Sequence, residues 1–93
     1  MNTLHLLSQP QALEACLSRA EEGDVVLMLG AGALVCLHPE TFVAKTKLQW
    51  RVMRDALAMH GIAEALIPQR VQCIDYAAFV DLAVAAPRCL SWF

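Results

Sequence analysis

Charge is scarce in this 93-residue sequence: Asp, Glu, Lys and Arg together make up 17% of it, with a net charge of −2. The seven Lys and Arg residues are scattered, and no two are adjacent. A chain without a basic run has no means of gripping a phosphate backbone tightly by itself, so direct nucleic-acid binding is not expected. Long apolar runs are missing too. The longest charge-free stretch, Val25 to Pro39, contains Gly30 and Gly32 and is shorter than the roughly 20 residues a spanning helix needs. The opening MNTLHLLSQPQALE has no basic region and carries Glu14 early, so no secretory signal is expected. The reading is of a cytoplasmic protein without a membrane segment. No CxxC pair occurs among Cys16, Cys36, Cys73 and Cys89. In a reducing compartment these cysteines stay as thiols, and their even number does not mark a disulfide framework.

What is present is apolar. Hydrophobic residues make up 58% even without glycine, against roughly 45–50% with glycine in ordinary soluble domains. A small domain has little interior for its surface. Part of this material is therefore expected to be covered by another chain.

The sequence shows no linker and no internal repeat, so residues 1–93 are read as a single domain. TLHLL (3–7) is a candidate first strand. Ser8 with Gln11 fits a capping box, and Pro10 is tolerated in a first turn. Leu13, Cys16, Leu17 and Ala20 recur on one helix face, with Gly23 as the stop. VVLMLG (25–30) does not alternate and reads as a strand buried on both faces. Residues 33–37 fit a strand extension or a short helix, and residues 40–46 a helical turn or two. LQWRVM (48–53) and VQCI (71–74) are further strands, the first followed by a short helix up to His60 and Gly61. Asp75 should cap a helix whose apolar stripe is Tyr76, Phe79, Val80, Ala83 and Val84. CLSWF (89–93) should add a last strand or dock on the surface. Strands alternating with helices imply an α/β, three-layer domain: a mainly parallel sheet of four or five strands with helices on both faces.

Each candidate site has a plainer explanation beside it. The Gly30-Ala31-Gly32 bend evokes a nucleotide loop, but Val35 stands where the third glycine would be and no Lys-Ser/Thr pair follows. A glycine bend after a buried strand explains it better, and a small nucleotide-binding or regulatory module is the weaker alternative. Cys36 and His38 are the only tight metal-like pair, and two ligands do not make a zinc site, so no metal and no cofactor are expected. His60 suits a helix C-terminus, His5 a satisfied place in a strand. Asp24 and Asp75 have structural roles as turn and cap. Cys16 is the one candidate for chemistry. A reactive thiol needs a helix N-terminus, a cation or a base. Cys16 lies about two turns into its helix, with Arg19 the one nearby cation, so local chemistry favours packing.

The order LHLL, ALEACLSRAEEGDVVLML, VQCIDYAAFVDL and a terminal SW resembles the TusB/DsrH family of sulfur-relay subunits over nearly the whole chain. The resemblance implies a DsrE/F-like fold and a cytoplasmic hetero-oligomer with TusC/DsrF-like and TusD/DsrE-like subunits. It implies sulfur passing from a TusA-like carrier toward a TusE-like one, for 2-thiolation of the tRNA wobble uridine. The related alternative is dissimilatory sulfur oxidation. The principal active-site cysteine belongs, by this resemblance, to the TusD/DsrE chain. The cysteine of DsrH-type members falls on Cys16, which makes it a possible persulfide acceptor, while TusB-type members need not carry it. The family's Asp-Gly pair after the second strand is replaced here by Ala31-Gly32.

Overall fold

The computed structural model describes residues 2–44 and 47–93. Five strands form one sheet: β1 (Thr3–Leu7), β2 (Val25–Met28), β3 (Gln49–Met53), β4 (Val71–Ile74) and β5 (Arg88–Trp92). Their order is β4-β3-β2-β1-β5, and every pairing is parallel. The helices are α1 (Leu13–Arg19), α2 (Glu40–Ala44), α3 (Arg54–Met59) and α4 (Tyr76–Ala85), with 3-10 turns at Pro10–Ala12, Gly30–Leu37 and Glu64–Leu66.

The order of strands fixes where the helices go. From β1 to β4 the chain steps across the sheet in one direction. The last connection, through α4, returns past three strands to place β5 outside β1. Parallel crossovers are right-handed, so reversing direction moves the connecting helix to the opposite face. The first three connections therefore layer one face, and α4 alone covers the other.

Side chains alternate between these faces. His5, Val26, Trp50 and Val71 stand in one cross-strand row, and Leu7, Met28, Val52 and Cys73 in the next row on the same side. This face is closed by Cys16, Ala33, Val35, Cys36, Phe42, Ala56 and Leu57, all buried. Phe42 meets Trp50 edge-on at 4.8 Å. On the other face, Leu4 and Leu27 are buried, while Gln49 and Gln72 stay exposed.

The strand expectations hold, with β2 stopping at Met28. Residues 33–37 belong to a 3-10 helix, Gly30–Leu37, so of the two alternatives the short helix holds and the strand extension does not. The glycines explain why. Gly30 adopts φ +54°, and a Cβ on Gly32 would overlap the Leu7 carbonyl oxygen. The bend brings the 3-10 segment against the end of β1. Of residues 40–46, α2 occupies Glu40–Ala44, and 45–46 lie outside the described residues.

Three local expectations are corrected. Ser8 does not form a capping box: Gln9 precedes the first turn without a side-chain cap, and Ser8 Oγ donates instead to the Trp92 carbonyl at 3.1 Å. The pull of a neighbouring strand outweighs a local cap. Helix α1 ends at Arg19 with Ala20 already extended, so Gly23 is not its stop. Gly23, at φ +89°, serves the turn into β2, where its N–H donates to the Lys47 carbonyl. The third correction concerns α4. Ala78, Phe79 and Leu82 pack on the sheet, with Ala86 just beyond the helix end. Of the expected stripe only Phe79 turns inward. Tyr76, Val80, Ala83 and Val84 are exposed.

Candidate functional site

The expected site residue, Cys16, sits in the middle of α1 against the sheet, with a solvent exposure of 0%. Burial pushes its thiol up to about 11, and the Asp24 charge adds to that. Both causes suppress the thiolate, the form that takes sulfur. Arg19 lies three residues on, at the exposed end of the same helix, and exerts no resolved effect on the thiol. Cys36 is also buried, and burial pushes its thiol to about 11, with Cys73 contributing.

Asp24 is the centre of a buried polar knot. Its Oδ1 accepts from the Thr3 N–H at 2.9 Å, and its Oδ2 accepts from the Glu21 N–H at 3.0 Å. Oδ2 also lies 3.0 Å from His5 Nε2, and the Trp92 indole N–H lies 3.0 Å from His5 Nδ1. An indole N–H can only donate, so Nδ1 is the acceptor and the proton of the neutral ring sits on Nε2, facing Asp24. Burial alone would raise the Asp24 pKa. The Thr3 and Glu21 N–H groups, and then His5, outweigh it and hold the carboxyl below its ordinary value. Every polar atom of this knot has a partner.

Cys73, on β4, is half-buried beside an exposed ion pair, Arg54 Nε to Glu64 Oε1 at 3.3 Å. Burial first, and then the Glu64 carboxylate, raise its pKa. Sequence reading passed over this cysteine because Arg54 and Glu64 lie far from it along the chain. Among the described residues no group of three His, Cys, Asp or Glu could hold a metal ion. His38 points toward Glu40 at 3.6 Å rather than toward Cys36, which is buried. His60 caps α3, with Nδ1 3.0 Å from the Ala56 carbonyl, and Asp75 caps α4 by accepting from the Ala78 N–H at 2.9 Å. At Gly32 the bend after β2 packs against the end of β1, while Gly30 is exposed and lines an open groove.

One open feature is apolar. Tyr76, Val80, Ala83 and Val84 make a stripe along the outer side of α4, with Tyr76 71% and Val84 82% exposed. At the carboxyl end of the sheet the stripe runs into a groove of about 330 Å³ between α3 and α4, lined by Leu27, Met53, Met59 and Phe79 among others. The charged groups bordering these features are acidic, Asp55 at the groove and Asp81 on α4. Arg51 lies to one side, its Nη2 held by Gln49 Oε1 at 3.2 Å. Burial lowers its pKa.

The chain is a small all-parallel α/β domain in which, among the described residues, no buried side-chain polar atom lacks a partner and the outer side of α4 is apolar. The family comparison places it more closely: a model of DsrH-like proteins matches residues 8–88, and the chain belongs to that family. The family carries sulfur-relay subunits that normally work within multi-subunit complexes. A search of curated proteins finds no match to this chain. Among the described residues no helix is long and apolar enough to cross a membrane.

Proposed function

We propose that this chain is an assembly subunit of a cytoplasmic sulfurtransferase complex resembling TusBCD, acting in 2-thiolation of the tRNA wobble uridine. TusC/DsrF-like and TusD/DsrE-like chains are its direct partners, and TusA-like and TusE-like carriers its indirect ones. The catalytic cysteine is a partner's, and this chain holds that partner in place. The outward apolar stripe of α4 carries the reading. A helix with four neighbouring apolar residues on its solvent side is costly to leave wet, and a partner surface removes the cost. The scarcity of basic residues agrees, since RNA contact would fall to a downstream enzyme.

The alternative, a DsrH-like subunit of sulfur oxidation that accepts persulfide on Cys16, needs the thiol to reach a donor. Burial and the Asp24 charge weigh against it. A nucleotide-binding role draws no support from Gly32, which packs against the end of β1.

Native mass spectrometry of this chain co-expressed with the TusC-like and TusD-like proteins of its own organism tests the reading. The expected result is a defined hetero-oligomer. A stable, monodisperse monomer without affinity for either chain would overturn it.

A further inference from the structure

The knot around His5 does more than fill a polar hole. It joins β1, the turn before β2, and β5 through one imidazole ring. Trp92 and His5 lie on the same side of the sheet, with ring centroids 6.2 Å apart and planes at 29°. Both ring nitrogens are occupied, one as donor to Asp24 and one as acceptor from Trp92. This pattern exists only for the neutral ring. Imidazolium carries a proton on each nitrogen, so a proton on Nδ1 would face the indole N–H, donor against donor.

We propose that His5 is a proton-operated latch: the neutral ring holds Trp92 and so secures β5, and protonation at Nδ1 releases the indole while His5 stays bound to Asp24.

The two contacts respond in opposite senses. The Asp24 bond gains a full opposite charge when the ring is protonated, so the β1–β2 side tightens. The Trp92 bond loses its acceptor, so the β5 side opens. Few other groups bear on the ring. From α1 comes the Cys16 thiol, which feels the Asp24 charge. From β2 comes Val26, directly opposite His5 and uncharged. From β5 come Leu90, opposite His5, and Arg88, exposed and opposite Thr3. Glu21 contributes its backbone N–H to Asp24, with its own side chain outside. Among the described residues, Asp24 is therefore the one charge in contact with the ring.

Release is local because β5 is the edge that depends on it. β5 pairs only with β1, and its residues are exposed or half-buried. Once the indole leaves, the end of β5 keeps its parallel register with β1, Trp92 opposite Leu7, and the Trp92 carbonyl still accepts from Ser8 N and Ser8 Oγ, each at 3.1 Å.

The test is two-dimensional 1H–15N NMR of the indole N–H groups and the His5 ring in the full chain, titrated downward and kept above about pH 5, where exposed carboxylates remain ionised. Trp92→Phe assigns the two indole signals. The expected result is that the Trp92 signal loses its hydrogen-bonded downfield shift in step with the His5 ring titration, while Trp50, in the core, does not move. In His5→Asn, whose amide oxygen can still accept from Trp92 but cannot titrate, the Trp92 signal should be independent of pH. A Trp92 signal that stays fixed while His5 titrates would overturn the proposal. So would Trp50 and Trp92 shifting together, which reports general unfolding, or a ring that remains neutral throughout the range.

Discussion

The two faces of the sheet are covered in different ways. One is closed by α1, α2, α3 and the long 3-10 segment, and it buries Trp50, Phe42, Leu7, Met28 and Cys16 almost completely. The other is covered by α4 alone, a helix with no fully buried residue. The α4 face carries Gln49, Arg51 and Gln72 among its strand residues, and the helix over it leaves Tyr76, Val80 and Val84 exposed. The closed face makes the fold; the α4 face is left for something else to cover. The same contrast sorts the polar groups. Those at the margin of the closed face are knotted around Asp24, while Arg51, Gln49 and Gln72 on the α4 side remain near solvent.

Breaking the closed face should have the largest consequences. Trp50→Ala removes the largest fully buried side chain and its edge-on contact with Phe42. It should cost about 3–5 kcal/mol, most of the stability of a domain this size. Chemical denaturation followed by circular dichroism would show it as a lower midpoint. Asp24→Ala comes next. It leaves the Thr3 and Glu21 N–H groups and His5 without their acceptor, and about 3 kcal/mol is expected for buried groups so abandoned. The same residue sets an acid limb. Because the folded carboxyl titrates below its unfolded value, its contribution is complete above about pH 4 and is lost as pH falls through the lower folded value. Melting temperature measured from pH 6 downward should drop in that range in the native chain and drop less in Asp24→Asn.

The closed face was also the legible one. Strands β1 to β4, the two-sided burial of β2 and the Asp75 cap follow from apolar runs and one capping residue, because those signals are local; for residues 89–93 the apolar run left strand and docked tail as alternatives. The α4 stripe was misassigned for a definable reason. Tyr76 to Ala85 holds a single charge, Asp81, so the helix is apolar around nearly its whole circumference and periodicity cannot say which side faces the sheet. Phe79 belongs to both candidate stripes; Leu82 and Ala78 decided the matter. The polar knot was illegible as a unit. His5, Asp24 and Trp92 could each be given a structural role, but no spacing in the sequence reveals that β5 returns beside β1. Ser8 shows the same limit, since its partner is the carbonyl of Trp92.

Cys16 separates the packing and chemical readings with a smaller effect. Serine brings a more strongly polar group into the apolar interface between α1 and the sheet, so Cys16→Ser should lose about 1–3 kcal/mol, enough to lower relay activity by lowering the amount of folded chain. Alanine adds no polar group, and Cys16→Ala tests chemistry more cleanly. If the thiol only packs, relay activity per folded complex should equal that of the native chain for Cys16→Ala. Loss of transfer by that variant in an intact complex would make Cys16 a sulfur carrier despite its burial.

The smallest effect on the isolated chain is expected on the α4 face, and it should be the largest on assembly. Val84 touches nothing that the fold requires and is 82% exposed. Val84→Asp should therefore change the melting temperature of the isolated chain by the equivalent of no more than about 0.5 kcal/mol. In the complex the new carboxylate would be buried beside Asp81 without a partner, and such a charge costs several kcal/mol. Affinity for the TusC-like or TusD-like chain should fall by about a hundredfold or more, since each 1.4 kcal/mol is a factor of ten. Isothermal titration calorimetry against each partner would read both the loss and which chain occupies this face. Phe79→Ala is the complementary change, because Phe79 packs inward on the same helix. It should destabilise the isolated chain and weaken association only as far as α4 loosens. If Val84→Asp instead left assembly untouched, the partners would sit elsewhere, and the exposed stripe would need an occupant outside the complex.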